Sequence, residues 1–220
     1  MFSILSLNCN QGKCGVENIS EFLHTCNADI ICLQEFSQNI AQSLELYNFY
    51  EKYIFVTSPV HQGWSENVIF SKFPIVNTKS YEQEGKKRRS IHITFLYQRI
   101  EIVCVCIHLE PGRQNYEMRR RQLLNILENV DHRMPVIIIG DYNMETNEGR
   151  YKWPLYGWES PRLLATYSSD NRCVFSKKFR FNHTFDRCLY KNNYLYLHEA
   201  KILPLDISDH YPLIVKFSLL

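Results

Sequence analysis

Short apolar runs of β-branched residues recur along this chain: Ile30-Ile31-Cys32-Leu33 within residues 28–33, then 102–107, then Val136-Ile137-Ile138-Ile139. Such runs are too short for helices of ordinary length and far short of a membrane span. They read as strands buried on both faces, which require a covering layer above and below. Residues 2–7 add a first strand. Each run gives way abruptly to polar residues, so chain direction and chemistry change at the same points.

Between the runs lie weaker signals. Val16, Ile19, Phe22 and Leu23 have helical spacing over residues 16–26, and Ser37 is placed to cap a short helix ending near Leu46. The longest helix is expected over 115–130, with Tyr116, Leu123, Ile126, Leu127 and Val130 on one face, and a short one over 157–166. Further strands are expected at 53–57, 67–71, 91–97, 101–107, 174–175, 184–190, 194–202 and 211–217. Many short strands with helices between them imply an α/β (α+β) fold of two packed mixed β-sheets flanked by helices. A doubly wound parallel sheet is the competing architecture, and hairpin-like neighbours such as 91–97 and 101–107 argue against it. Neither repeats nor composition breaks divide the chain, so residues 1–220 are expected to form one domain.

Composition excludes other classes. With 45% apolar and 22% charged residues the chain can bury a core and is not disordered. A formal charge of +2 is too mild to mark a nucleic-acid binder by itself. The 8 cysteines include no C-x-x-C pair, and Cys32, Cys104 and Cys106 sit in apolar runs where free thiols act as small hydrophobes. With no charged-then-apolar leader at the start, the chain is expected to be intracellular, in nucleus or cytoplasm, with reduced thiols and no membrane association.

The chemistry concentrates where strands end. Asn8 and Asn10 follow the first run, Gln34-Glu35 the second, His108-Leu109-Glu110 the third and Gly140-Asp141-Tyr142-Asn143 the fourth. Ser208-Asp209-His210 precedes the last. Taken singly, each has an ordinary explanation: a solvated loop carboxylate at Glu35, a turn at Gly-Asp-x-Asn, a surface pair at Asp209-His210. Five unrelated turns would not need this combination, and polar groups at strand ends can converge on one cleft.

In order and context these motifs resemble the endonuclease/exonuclease/phosphatase superfamily, as do Ser71-Lys72-Phe73-Pro74-Ile75 and Phe185-Asp186-Arg187. Within it, His108-Leu109-Glu110-Pro111-Gly112-Arg113, with Glu117, Arg119 and Gln122-Leu123 behind, is similar to a segment of the tyrosyl-DNA phosphodiesterase 2 family. The chain departs from that family at Asn10 (Asp there), Pro111 (Ser) and Thr184 (Arg). The resemblance implies a four-layer α/β/β/α sandwich and a phosphodiesterase dependent on Mg2+, with Mn2+ the alternative, since hard oxygen donors suit both. It implies Glu35 as direct metal ligand with Asp209 and Asn10 supporting, Asp141 as base, and Asn8, Asn143 and His108 on the phosphate. His210, oriented by Asp186, would stabilise the transition state. Asn143 is expected to share a face with Asp141 in an extended segment.

Substrate contacts are expected from Arg113, Trp153 and Trp158, and from the basic cluster Lys86 to Arg89, whereas Arg119 to Arg121 read as a solvated face. The implied partners are nucleic acid 5′ ends carrying a phosphotyrosyl or similar adduct, met by a monomer. The competing readings are an apurinic-site endonuclease, an RNA exonuclease or a lipid or inositol phosphatase of the same superfamily, and an inactive binding module.

Overall fold

The structure, a computed structural model, describes residues 1–57, 66–85, 89–144, 157–174 and 182–220. Its helices are α1 Val16–Cys26, α2 Gln38–Glu45 and α3 Tyr116–Glu128. Its strands are β1 Phe2–Asn8, β2 Ile30–Phe36, β3 Ile54–Thr57, β4 Glu66–Ser71, β5 Ile75–Glu82, β6 Arg89–Tyr97 and β7 Ile100–His108. Then follow β8 Val136–Asp141, β9 Trp158–Glu159, β10 Tyr167–Ser168, β11 Asn182–His183, β12 Asp186–Lys191, β13 Leu195–Ile202 and β14 Leu213–Leu219.

Two mixed sheets result, ordered β13-β14-β1-β2-β4-β3 and β5-β6-β7-β8-β12-β9, with β10-β11 as a separate ribbon. Each sheet holds one parallel pair, β1/β2 in the first and β7/β8 in the second, while the other pairings are antiparallel. A parallel pair needs a crossover, and α1 and α3 supply the two. In register, Asn8 lies beside Gln34 and His108 beside Asp141, so both pairs end in polar residues.

Strand alternation builds the layers. Phe2, Ile4, Ile30 and Cys32 face Ile91, Ile93, Ile137 and Ile139 of the opposite sheet across a fully apolar core. The reverse faces are covered separately. Leu5, Leu7, Ile31 and Leu33 pack with Ile19, Leu23, Ile40 and Leu44 of α1 and α2. Val105, Ile107, Val136 and Ile138 pack with Leu123, Ile126 and Leu127 of α3. The architecture is thus the expected α/β/β/α sandwich, and each fully buried aliphatic side chain contributes about 1.5–3 kcal/mol. All eight cysteines are free thiols. No helix among the described residues is long and apolar enough to cross a membrane.

Several local expectations are corrected. No helix occupies 157–166: Trp158–Glu159 pairs with β12, and Pro161 lacks the N–H a helix needs and disfavours helical geometry at Ser160. β5, not anticipated, is a largely exposed edge strand whose polar residues carry no apolar signal. Val174 lies outside any strand, Phe175 lies outside the described residues, and the strand expected from 184 begins at Asp186. β2 runs on through Glu35 rather than stopping before it.

Candidate active site

Gly140 shows why the fourth strand carries its motif. Its φ is 145°, and a Cβ there would sit 2.1 Å from the Ile107 carbonyl oxygen. Only glycine lets β8 approach β7 so closely, which sets Asp141 directly beside His108. Asp141 is also paired across the sheet with Asp186 of β12.

Asp141 is 1% exposed and held by short hydrogen bonds. Asn8 Nδ2 donates to its Oδ2 at 3.0 Å, the Asn143 backbone N–H to Oδ1 at 2.8 Å, and Asn143 Nδ2 to Oδ2 at 3.1 Å. His108 Nε2 lies 3.4 Å from the same Oδ2. Asn143 does meet Asp141, but through a turn with φ 49° rather than the extended segment expected, its side chain also donating to the Leu109 carbonyl. Burial pushes the Asp141 carboxyl up to about 6, with Asp186 adding to the rise and cationic His210 opposing it.

Glu35 is held differently. It occupies a bulge of β2 with φ 50°, a conformation unusual for a side chain of this type, which turns its carboxylate toward the cleft. Its partners among the described residues are long: Asn8 Nδ2 at 3.5 Å, Gln11 Nε2 at 3.5 Å and His108 Nε2 at 3.9 Å. Asn8 therefore touches carboxylates from both sheets. Asn10 enters through its backbone N–H, which donates to Asn8 Oδ1 and orients that amide.

The third component is His210. Its Nδ1 donates to Asp186 Oδ2 at 2.8 Å and its Nε2 lies 4.0 Å from Asp141 Oδ2. Burial alone would lower its pKa, but the carboxylates of Asp186 and Asp141 outweigh that and raise it to about 10. At neutral pH it is an imidazolium. Asp209, partly buried, is raised by burial and by the negative charge of Glu35, with His210 opposing. Ser208 Oγ donates to the Asn8 carbonyl at 2.6 Å and ties this turn to the end of β1.

Asn8, Glu35, His108, Asp141, Asn143, Asp186, Asp209 and His210 thus meet in one place, although their elements lie far apart in the chain. Trp158 does not join them. It pairs with Lys191 at the far end of β12, about 17 Å along the strand from Asp186, and packs on the α3 side. Arg113 is exposed at the start of a 3-10 turn beyond the β7 loop. Trp153 and Lys86 to Arg88 lie outside the described residues. The Arg119 to Arg121 run is not wholly a solvated face: Arg119 is fully buried and donates to the carbonyls of Glu110 at 2.9 Å and Gly112 at 2.6 Å. Gln122 Oε1 accepts from the Glu110 N–H, so α3 braces the loop behind His108.

Tyr167 escaped the sequence reading. It forms an isolated bridge to His210, its ring 5.1 Å from the imidazole and 5.3 Å from Phe185. A two-residue strand leaves no periodicity to find. Thr166, whose Oγ accepts from the N–H groups of Phe185 and Asp186, was missed for the same reason.

Two groups fit a cation. Asp141, Asp186 and His210 offer ligand atoms within 4.8 Å of one another and could hold a metal ion, and Asp186 Oδ1 is buried without a described hydrogen bond. Glu35 and Asp209 repel one another beside the amide of Asn8, a hard-oxygen set that a divalent cation would relieve.

The chain belongs to the Endonuclease/Exonuclease/phosphatase family, whose model matches residues 5–210. It superposes on TDP2 (tyrosyl-DNA phosphodiesterase 2) from D. rerio, solved with a single-strand DNA product, at a TM-score of 0.86 and 16% identity, covering 99% of this chain and 98% of that one. TDP2 from C. elegans gives 0.84 at 16% identity, over 98% and 74% of the two chains. An endonuclease/exonuclease/phosphatase from Bacteroides vulgatus gives 0.80 at 14%, over 100% and 99%. At these identities the likeness is one of fold. A UPF0294 protein of Vibrio campbellii is 33% identical over 115 residues, 51% of this chain and only 37% of that protein's length.

Proposed function

We propose that the chain is a Mg2+-dependent phosphodiesterase that hydrolyses 5′-phosphotyrosyl adducts on nucleic acid by in-line attack of water. The observation that carries this reading is the convergence of a tightly held carboxylate from β8, a loosely held carboxylate from β2 and a buried imidazolium from the turn ahead of β14. Phosphodiesters resist hydrolysis because their charge repels the nucleophile and their leaving oxygen is a poor anion. The site offers a partner for each difficulty.

Mg2+ is the cation these oxygens suit, with Mn2+ next, and when bound it would neutralise charge on the phosphate. Glu35, supported by Asp209, is the better holder of the two groups, because His210 in the other is already cationic and magnesium favours oxygen. Asp141 accepts the proton of the attacking water. Its raised pKa brings it nearer to neutrality than an exposed aspartate, which strengthens it as a base. Asn8 and Asn143 hold that carboxylate in place through their side-chain amides. His210 donates from Nε2 to the phosphoryl oxygens as charge grows there, with Asp186 fixing its ring orientation and favouring its charge. His108 faces the same carboxylates from the second sheet.

The leaving group favours an aryl ester. A tyrosine phenol has a pKa of about 10, so its phenolate departs without a strong general acid. Tyr167 and Phe185 beside His210 give an aromatic group something to pack against. Arg113 remains the proposed contact for nucleic-acid phosphate and Trp153 for a base, while Trp158 is withdrawn from that role. Residues 1–220 act as one domain and as a monomer in this reading, inside the cell. The similar D. rerio protein carries a single-strand DNA product, which supports a nucleic-acid substrate.

The test is a 5′-tyrosyl oligonucleotide incubated with Mg2+ beside abasic duplex, poly(A) and inositol phosphates. Release of tyrosine leaving a 5′-phosphate is expected. Turnover of one of the other substrates with none of the tyrosyl ester assigns the chain to a different branch of the family.

A further inference from the structure

Two of the eight thiols differ from the rest in position and surroundings. Cys9, Cys32, Cys104, Cys106 and Cys188 are fully buried. Cys32 and Cys104 approach to 3.8 Å, but they do so in the dry core between the sheets. Cys26 stands at the end of α1 with its thiol turned to the Leu23 carbonyl. Cys14 and Cys173 are only partly buried, and they meet each other: Cys14 Sγ lies 3.9 Å from the Cys173 carbonyl oxygen and the two thiols interact side by side.

Their positions matter because each lies on one wall of the cleft. Cys14 is in the turn between β1 and α1, which also carries Asn10 and Gln11, the latter a partner of Glu35. Cys173 is in the turn after β10, tied to the turn ahead of His210 by Asn171 Nδ2 donating to the Ser208 carbonyl at 2.8 Å and by its own thiol donating to the Asp206 carbonyl at 3.3 Å. Deep in the cleft the same walls are joined by Ser208 Oγ on the Asn8 carbonyl.

We propose that Cys14 and Cys173 form a reversible disulfide that staples the two walls at the rim of the cleft, with small-molecule disulfides such as glutathione disulfide as the oxidant class. The first cysteine, as thiolate, attacks the small disulfide, forming a mixed disulfide and expelling one glutathione thiolate. The second then attacks the protein sulfur of that bond and expels the other. Two S–H bonds are lost and one S–S bond is gained, and the two electrons and two protons leave on two molecules of reduced glutathione. Burial, followed by the neighbouring sulfur and the carboxylates of Asp209 and Asp206, pushes the Cys14 thiol up to about 12, so it rests protonated at neutral pH and reacts slowly. Cys14 Sγ already lies 3.9 Å from the backbone carbonyl oxygen of Cys173, so the two segments are adjacent when the bond closes, and the long loop it closes restricts the unfolded chain.

The experiment treats the folded full-length protein with glutathione disulfide at mildly alkaline pH, then maps peptides without reduction and records thermal unfolding. A bridged peptide joining Cys14 to Cys173 is expected, with Tm higher by about 5–10 °C and restored by dithiothreitol. Cys14→Ser and Cys173→Ser should each abolish both the bridge and the Tm response while unfolding like the reduced parent. The staple is overturned by separate glutathione adducts on the two cysteines with no bridge. It is equally overturned by a bridge without a Tm rise, or by an undiminished Tm response in Cys14→Ser. None of these readouts uses turnover, so the outcome is independent of the proposed reaction.

Discussion

The two parallel strand pairs do the same job with opposite rigidity. In the first sheet β1 and β2 deliver Asn8 and Glu35, and among the described residues Glu35 is contacted at 3.5 Å or more and remains partly exposed. In the second, β7 and β8 deliver His108 and Asp141, and Asp141 is buried with three donors at 2.8–3.1 Å. The loop behind His108 is braced by Arg119 and Gln122 of α3. In the proposed reaction the first would exchange water for a cation, which loose partners allow, and the second would accept a proton at a fixed point, which tight partners favour. One fold supplies both because each sheet ends its own parallel pair at the shared cleft.

Asp141→Asn attacks the rigid side and should have the largest effect, a loss of roughly 10²–10⁴ in kcat with little change in KM. The same variant should have a higher Tm than the metal-free parent at neutral pH. The folded pKa of about 6 lies above the ordinary 3.8, so the stability linked to this group is complete below pH 4 and lost as pH rises through 6. A variant that keeps its rate removes Asp141 as the base.

Arg119→Met tests whether the bracing is energetic. It strips the buried Glu110 carbonyl and the partly buried Gly112 carbonyl of their donor while roughly preserving volume, and should destabilise by about 2–4 kcal/mol in denaturant titration. A loss under half a kilocalorie would mean that the loop holds itself. On the loose side, Glu35→Gln should raise the Mg2+ concentration for half-maximal rate by about 10–100-fold, with the rate largely recovered at high metal. His210→Gln should lower kcat and leave the metal requirement alone. The reverse result would move the cation to the Asp141, Asp186 and His210 group.

The smallest effect concerns acid. His92 on β6 of the second sheet is buried, with Nε2 2.9 Å from Ser90 Oγ, and burial followed by the charge of Lys79 lowers its pKa to about 4. The unfolded chain takes the proton first, so stability is complete above pH 6.5 and is lost as pH falls toward 4. The expected loss is about 2 kcal/mol by pH 5. His92→Gln should flatten that slope in urea titrations across pH, and an unchanged slope would put acid sensitivity elsewhere.

Much of this was legible locally. Val136 to Ile139 reads as a strand buried on both faces, whereas Gly140 reads as part of a turn and only the structure shows the close backbone approach it allows. The residues that escaped had no local signature. Tyr167 acts from a strand of two residues, β5 is polar because it is an edge, and Arg119 resembles its exposed neighbours Arg120 and Arg121 although it is fully buried. Trp158 had the right residue type, and only strand pairing shows that it lies at the wrong end of β12.

By itself the amino-acid order determined the buried central strands and the polar residues that wait near their ends, because alternation and apolar runs act over a few neighbouring residues. The tertiary structure decided that Asn8 would bridge carboxylates from two sheets, that Glu35 would be held loosely and Asp141 tightly, and that His210 would be a cation. Those outcomes depend on distances and dielectric surroundings created by segments far apart in the chain, which no local pattern encodes.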